Sequence, residues 1–195
     1  AVLALDVNLQ RLKGLKFNSL HAPIMEYGKN AETKKAFEKM GEIAREIRLE
    51  HITFHPNHVR DFSVLKRLET RACIENLADG ERRKGWQFPK EIKAFLEKNP
   101  GFGFCFDVNH GMANGVDPKE FLGTLGEKIS CVHLNATERA GAAEHNFVFS
   151  SSRGVQEKIE PVFALEKPLI IEVDITPKDL PLIKEEIAYV RKKMG

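Results

Sequence analysis

The sequence predicts an α/β barrel, a parallel sheet rolled into a cylinder with helices on its outside. Two observations carry this prediction. Short apolar runs typical of strands alternate strictly with segments of helical spacing, and Pro or Gly separates them. Small residues also recur at one matched position of the strand runs. The alternation favours βαβ units, and the small residues suit the narrow interior of a closed sheet.

Seven runs are strand candidates: VLALDV, KFNSLH, HITFH, RACIEN, FGFCFD, SCVHLN and LIIEVD. Six helix candidates lie between and after them: NAETKKAFEKMGEIAREI, DFSVLKRLE, FPKEIKAFLEKN, DPKEFLGTLGEK, VQEKIEPVFALE and PKDLPLIKEEIAYVRKKM. Asn30, Asp61 and Asp117 are N-cap candidates, and Pro118 suits a first helical turn. No linker or low-complexity tract interrupts the chain, so we expect residues 1–195 to form a single domain.

Side-chain alternation separates two faces of the last six strand candidates, aligned on the polar residue that ends each. The residue before it is large and apolar in every strand: Leu20, Phe54, Ile74, Phe106, Val132 and Ile171. The residue two before is mostly small: Ser19, Thr53, Cys73, Cys105, Cys131 and Ile170. We therefore expect the first set to face the helices and the second to face the barrel axis. For the cysteines, packing is favoured over metal binding or redox chemistry.

The polar residues themselves form a ring at the carboxyl ends of the strands, where α/β barrels carry their active sites: His21, His55, Glu75, Asp107, His133 and Glu172. So many ionisable groups cannot all stay charged and unpaired inside an apolar barrel. A divalent metal ion resolves the problem. Carboxylates suit magnesium or manganese, and imidazoles favour zinc. Taken singly, a histidine at a strand end is better explained as a hydrogen-bonded surface or core group than as a ligand, and it is the six matched positions together that favour a metal.

Length and composition set the class of protein. The 195 residues, 42% apolar and 30% charged, are ordinary for a globular chain and exclude collagen, coiled-coil and disordered classes. The net charge of +2 gives no argument for nucleic acid. Three cysteines without a CxxC predict neither a disulfide framework nor a zinc ribbon. With no membrane span and no leader segment in the sequence, the expected location is the cytoplasm, with no membrane partner.

Six segments carry a family resemblance: SLHAP, TFHPN, CIENL, CFDVNH, CVHLN and IIEVD. In this order they resemble the xylose isomerase-like TIM barrel superfamily, which contains endonuclease IV and many sugar and sugar-phosphate isomerases and epimerases. The resemblance implies a TIM-barrel-like fold. It also implies a shared metal site formed by Glu75, Asp107, His133 and Glu172, with Glu75 and Glu172 as the acid/base groups of an epimerase.

The remaining histidines have different implied roles in the two kinds of enzyme. His21 and His55 match positions that bind an additional zinc in the nuclease. His110, which we place in a loop after the strand FGFCFD, would contact substrate in a sugar enzyme or hold a further metal in a nuclease. His145 lies where the nuclease pattern carries an Asp-x-His ligand pair, and it would face the substrate in a sugar enzyme.

Several departures from the pattern weaken a direct transfer of activity. Ala143 stands in place of the Asp of that pair, Ile24 in place of an aromatic residue of the nucleases, and Ala136 in place of an acidic residue. A complete TIM barrel has eight strands, whereas seven are predicted, and the family's first strand and helix have no counterpart. Either the barrel is incomplete or a partner chain, such as a second copy in a homodimer, covers the open edge.

Three functions stay open. The first is a divalent-metal-dependent isomerase or epimerase of a small sugar or sugar phosphate, in which a carboxylate moves a proton next to a polarised carbonyl. The second is an endonuclease IV-like phosphodiesterase acting on abasic DNA, in which the loop DGERRKGWQF would use Arg82, Arg83, Lys84 and Trp86 to bind phosphate and stack on a base. For that loop a solvated turn before a helix is favoured, a sugar-phosphate anchor comes next, and a contact with nucleic acid comes last. The third is a non-catalytic binding protein that retains the fold.

Overall fold

The structure is a computed structural model that describes residue 9 and residues 12–78, 85–139, 141–142 and 144–195. Within these residues one parallel sheet contains the strands β1 Ser19–His21, β2 His51–Phe54, β3 Arg71–Glu75, β4 Gly103–Asp107, β5 Ile129–Leu134 and β6 Leu169–Ile171. The strands lie side by side in chain order, each paired in parallel with the next. The predicted first strand, VLALDV, lies outside the described residues.

Six α-helices accompany the sheet in the described part of the chain: α1 Ala31–Ile47, α2 Pro89–Lys98, α3 Val108–Ala113, α4 Pro118–Leu125, α5 Arg153–Ile159 and α6 Leu180–Met194. Two of the predicted N-caps are confirmed. The side chain of Asn30 accepts a hydrogen bond from the backbone N–H of Thr33, and that of Asp117 accepts one from Lys119. No helix in the described segments is long and apolar enough to cross a bilayer.

Two predictions of secondary structure were wrong, one of a helix and one of a loop. The segment DFSVLKRLE forms only the 3-10 turn Leu65–Arg67, because Asp61 accepts the N–H of Ser63 two residues on and closes a local turn instead of capping a helix. Conversely, the segment after β4, predicted as a loop, is helix α3. His110 therefore lies on a helix that starts directly at the strand end, and its position is fixed by that helix.

The sheet is curled as in a barrel. The rings of His21 on β1 and His133 on β5 have their centroids 5.9 Å apart. In a flat sheet with strands about 4.8 Å apart, four strand spacings would separate them by about 19 Å. Lower in the interior, Nε2 of His51 on β2 lies 3.1 Å from Sγ of Cys131 on β5. This curvature confirms the predicted TIM-barrel-like architecture and brings the strand ends to one place.

The two predicted faces of the strands are confirmed. Phe54, Ile74, Phe106 and Val132 are fully buried in the large apolar core between the sheet and the helices. On the other face, Cys73, Cys105 and Cys131 form a separate buried cluster. Phe17 and Ile170 pack against it. The polar residues that follow these cysteines along the strands consequently emerge at the mouth of the barrel interior.

Candidate metal centre

Each carboxylate of the centre is positioned by the end of a strand. Glu75 ends β3 and Asp107 ends β4, and the side chain of Asn76 ties the two ends together. Its Nδ2 donates to the carbonyl of Asp107 at 2.7 Å, and its Oδ1 accepts the N–H of Asp107 at 2.8 Å. Asp107 also caps α3 by accepting the N–H of His110 at 2.7 Å, and it accepts Nδ2 of Asn135 at 3.1 Å. Its carboxylate is thereby held in one orientation.

The carboxylate of Glu75 is the hub of the centre, 1% exposed and surrounded by four imidazoles. Its Oε2 lies 3.1 Å from Nε2 of His21 and 3.5 Å from Nε2 of His55. Its Oε1 lies 3.3 Å from Nδ1 of His133 and 3.7 Å from Nδ1 of His110. Both oxygens of Glu75 are therefore engaged by side chains from four other segments of the chain.

The possible carboxylate and imidazole ligands at the mouth of the barrel fall into three linked groups, within each of which all ligand atoms lie within 4.8 Å of one another. The groups are His21, His55 and Glu75; then Glu75, Asp107, His133 and Glu172; then Asp107, His110 and His145. Glu75 belongs to the first and second groups, and Asp107 belongs to the second and third. The structure thus brings together the complete predicted ring and adds His110 and His145 to it.

One contact tests whether a cation fits this arrangement. Nδ1 of His133 and Oε2 of Glu172 lie 2.5 Å apart inside the centre, and both buried atoms lack a well-aligned hydrogen bond. A ring nitrogen and a carboxylate oxygen that converge in this way are placed to donate to one ion, which would replace the proton of the imidazole. The donors are mixed carboxylate and imidazole, so the residues present fit a divalent cation of the zinc or manganese type.

The charges in the centre are strongly coupled. Burial acts to raise the pKa of Glu75, but the charge of His133 and contacts from His21 and His55 hold it well below its usual range. Burial acts to lower the pKa of His133, but the charge of Glu75 and the contact with Glu172 raise it well above its usual value. For Asp107, burial raises the pKa. A cation bound here must displace protons from imidazoles, which makes binding dependent on pH.

The third group is held by a loop and a helix. His145 lies after β5, where Ala136 and Asn146 form an antiparallel bridge, and its carbonyl accepts the N–H of Asp174 at 3.1 Å. The rings of His110 and His145 face each other edge-on with centroids 5.8 Å apart. Nδ1 of His110 also lies 2.9 Å from the carbonyl of Asn76. Ala143, where a further carboxylate was expected from the resemblance, lies outside the described residues.

The predicted substrate loop is described only at its end. Arg82, Arg83 and Lys84 lie outside the described residues, so their role stays a prediction. Trp86 has a positive φ of 76° and packs its ring against Phe62 and Phe95, with centroids 5.5 and 4.9 Å away. Since these contacts hold the indole against the apolar core, they favour a packing role for Trp86 over stacking on a base.

Two orienting residues were missed in the sequence. Asn76 and Asn135 are fully buried and both hydrogen-bond to Asp107. The signal was present, because each asparagine directly follows the last residue of its strand, β3 or β5. Asn76 fixes the backbone of Asp107 and Asn135 fixes its carboxylate, and a search for ionisable residues alone detects neither role.

Solved structures with the same fold include both kinds of enzyme suggested by the resemblance. Endonuclease IV from Thermus thermophilus is similar with a TM-score of 0.69 at 17% identity, over 94% of this chain and 81% of its own. A xylose isomerase domain containing protein from Salmonella typhimurium gives 0.67 at 15%, over 97% and 81%. The 3-keto-D-glucoside 4-epimerase from E. coli gives 0.64 at 14%, over 95% and 84%.

These likenesses define the class of fold. The chain has the architecture of the xylose isomerase-like TIM barrels, which confirms the resemblance at the level of fold. The sequence matches no protein-family model and no curated protein. With solved neighbours that include both an endonuclease and a sugar epimerase, the choice of activity rests on the geometry of the centre.

Proposed function

We propose that the protein is a divalent-metal-dependent phosphodiester hydrolase of the endonuclease IV type, with abasic DNA as its substrate class. The observation that carries the proposal is the linkage of three ligand groups through the shared carboxylates Glu75 and Asp107. Carboxylates shared between adjacent groups suit a cluster of ions, whereas a sugar isomerase of the first hypothesis needs only the central group. The geometry therefore favours the second of the sequence-based hypotheses over the first.

The chemistry of phosphodiester hydrolysis matches such a centre. Divalent ions held by Glu75, Asp107 and the ligands around them would supply an activated water and neutralise the charge of the attacked phosphate and the leaving oxygen. Of the chain's own carboxylates, Glu75 and Glu172 are kept ionised by the neighbouring imidazoles, which lower the pKa of each. The side chains of Glu172 and His145 are 38% and 25% exposed, so the substrate side of the centre is open to solvent.

The same contacts argue against Glu75 as a free acid/base group. Its Oε2 faces His21 and His55, and its Oε1 faces His133 and His110, so neither oxygen is directed toward an open space. A general base must reach the proton that it abstracts within hydrogen-bonding distance. Glu172, which is more exposed, has no matching partner on the opposite side once Glu75 is occupied as a ligand.

A metal-dependent sugar or sugar-phosphate epimerase is the second candidate function. One observation favours it: the central group alone, Glu75, Asp107, His133 and Glu172, has four donors, and the third group has only three. If only the central group bound an ion, Glu75 and Glu172 would flank His133 as the two proton-transfer groups. This candidate predicts that His55 contributes little to turnover.

The experiment compares two substrates with one matched pair of variants. The metal-replete protein is assayed for cleavage of a duplex containing an abasic site and for epimerisation of small ketoses. His55→Gln removes a ligand of the first group, and His58→Gln alters a neighbouring imidazole, 6.4 Å away between ring centroids, that belongs to none of the groups. We expect duplex cleavage that falls at least about 100-fold in the His55 variant, since metal stabilisation of a transition state amounts to several kcal/mol.

The control and the contradicting result are equally specific. His58→Gln should cleave the duplex at a rate close to that of the wild type. Epimerisation by a protein that does not cleave the duplex, and that is unaffected by His55→Gln, would establish the second candidate instead. A metal-replete protein without either activity would leave the non-catalytic binding protein as the correct interpretation.

A further inference from the structure

A second cluster of donor atoms lies beneath the carboxylate-imidazole centre. Cys105 and Cys131 are directly paired residues of β4 and β5, and their Sγ atoms are 3.3 Å apart. Nε2 of His51, at the start of β2, lies 3.1 Å from Sγ of Cys131. Both cysteines are fully buried and His51 is 2% exposed. The imidazole of His51 thus contacts one sulfur atom of a cysteine pair inside the barrel.

The third donor of the cluster lies directly above the two sulfur atoms. His133 is two residues beyond Cys131 on β5, on the same face of the strand. A ligand atom of its ring lies within 4.8 Å of the sulfur atoms of both Cys105 and Cys131, which also lie within that distance of each other. The cluster is therefore continuous with the centre above it, but its donors are of a different chemical kind.

The donor types identify the class of ligand. Thiolate together with imidazole is the set that zinc and other thiophilic cations prefer, whereas magnesium and manganese prefer oxygen. Zinc binds thiolate at about 2.3 Å, so two sulfur ligands of a tetrahedral ion lie about 3.8 Å apart. The 3.3 Å between the two sulfur atoms is within a small side-chain adjustment of that spacing.

Packing alone does not account for the imidazole. A barrel interior is filled adequately by small or branched apolar side chains, such as Ile170 of β6, which packs against the same cysteines. His51 instead places a polar ring at this depth and directs Nε2 at a sulfur atom. Burying such a ring is costly unless it has a partner that uses its lone pair or its proton.

We propose that Cys105, Cys131 and His133 form a site for one zinc-like, thiophilic cation, with the imidazole of His51 held against Cys131 at its edge. The site shares His133 with the central oxygen-rich group, but it adds two sulfur donors and goes beyond the proposed hydrolase. It requires no phosphodiester substrate and no turnover, so its presence is decided by metal-binding spectroscopy alone.

The experiment is a titration of the full chain with Co(II), after removal of metals and under anaerobic, reducing conditions. Thiolate coordination gives a sulfur-to-cobalt charge-transfer band in the near ultraviolet, which oxygen and nitrogen ligands do not give. We expect the band in the wild type. The double variant Cys105→Ser/Cys131→Ser should lose the band and should bind one equivalent of cobalt less than the wild type. Cys73→Ser is the matched control, because Cys73 is also a fully buried free thiol but belongs to none of the ligand groups.

A third variant separates this proposal from the proposed function. Glu172→Gln alters the oxygen-rich centre and should leave the charge-transfer band unchanged, even if the hydrolase proposal fails. A wild-type chain without the band under excess Co(II), or a double variant that keeps it, would overturn the site and leave the cysteines as packing residues. If circular dichroism shows that the double variant is unfolded, X-ray absorption of the zinc-loaded wild type decides: sulfur in the zinc shell supports the site, and nitrogen and oxygen alone refute it.

Discussion

Glu75→Gln is the substitution that distinguishes a linked cluster from a single metal site. It removes one negative charge and leaves the shape of the side chain nearly unchanged. Glu75 belongs to two of the three ligand groups, whereas Glu172 belongs to one. If each group binds one ion, Glu75→Gln should lose two equivalents of metal per chain and Glu172→Gln should lose one.

The size of the effect follows from the contacts of the carboxylate. Nitrogen atoms of His21 and His133 lie 3.1 and 3.3 Å from its oxygens, and the carboxylate is 1% exposed. Removing one partner of a buried charge pair costs about 3–5 kcal/mol, because the other partner is left uncompensated. We expect a loss of this order in the free energy of unfolding, measured on the metal-free protein in the presence of a chelator. In the metal-replete protein we expect duplex cleavage to fall by about 10³-fold or more.

The assay combines elemental analysis after equilibrium dialysis with urea unfolding in the presence of a chelator. Glu144→Gln is the control, because Glu144 precedes His145 in the chain, pairs with Arg139 and belongs to none of the ligand groups. It should bind as much metal as the wild type. Should Glu75→Gln retain the full metal content, or lose no more than Glu172→Gln, the linkage of the groups through Glu75 would be refuted.

Three further predictions follow from the fold and the charges. Gly103→Ala would place a Cβ 2.4 Å from Sγ of Cys73, so it should lower the free energy of unfolding by about 1–3 kcal/mol in urea melts. Gly101→Ala is the control, because its Cβ would meet nothing within 4 Å and should leave the free energy of unfolding unchanged. Glu186 is fully buried and accepts two backbone N–H groups; Glu186→Gln should cost about 1.5–3 kcal/mol in the same melts, and an unchanged midpoint would contradict this. With a chelator present, the raised pKa of His133 should stabilise the fold at pH values below 6.5. This contribution should be lost as the pH rises through the pKa of His133 in the folded protein, and His133→Gln should remove the decline.

The sequence predicted the fold and the central ligands because both depend on local periodicity. Alternation along each strand placed Phe106 outside and Cys105 inside, and the shared strand-end position predicted that Glu75, Asp107 and His133 would meet. These inferences need only the two-residue repeat of a strand and the common direction of parallel strands.

What the sequence did not predict depends on choices between competing local structures and on long-range contacts. Asp61 was expected to cap a helix, but its carboxylate closes a turn with Ser63. The helix that carries His110 is only six residues long and lacks a clear apolar period, so it was predicted as a loop. That Nε2 of His55 lies 3.5 Å from the Glu75 carboxylate is a consequence of sheet curvature, which no local pattern encodes.

The most direct measurement of the central claim is anomalous diffraction at the zinc edge from crystals of the zinc-loaded protein. Linked ligand groups predict two or three peaks close together at the mouth of the barrel, apart from any peak at the cysteines beneath, with one between His21, His55 and Glu75 and another between Asp107, His133 and Glu172. A single peak at the mouth, confined to the central group while His21 and His55 bind nothing at full zinc loading, would contradict the cluster and the hydrolase proposal with it.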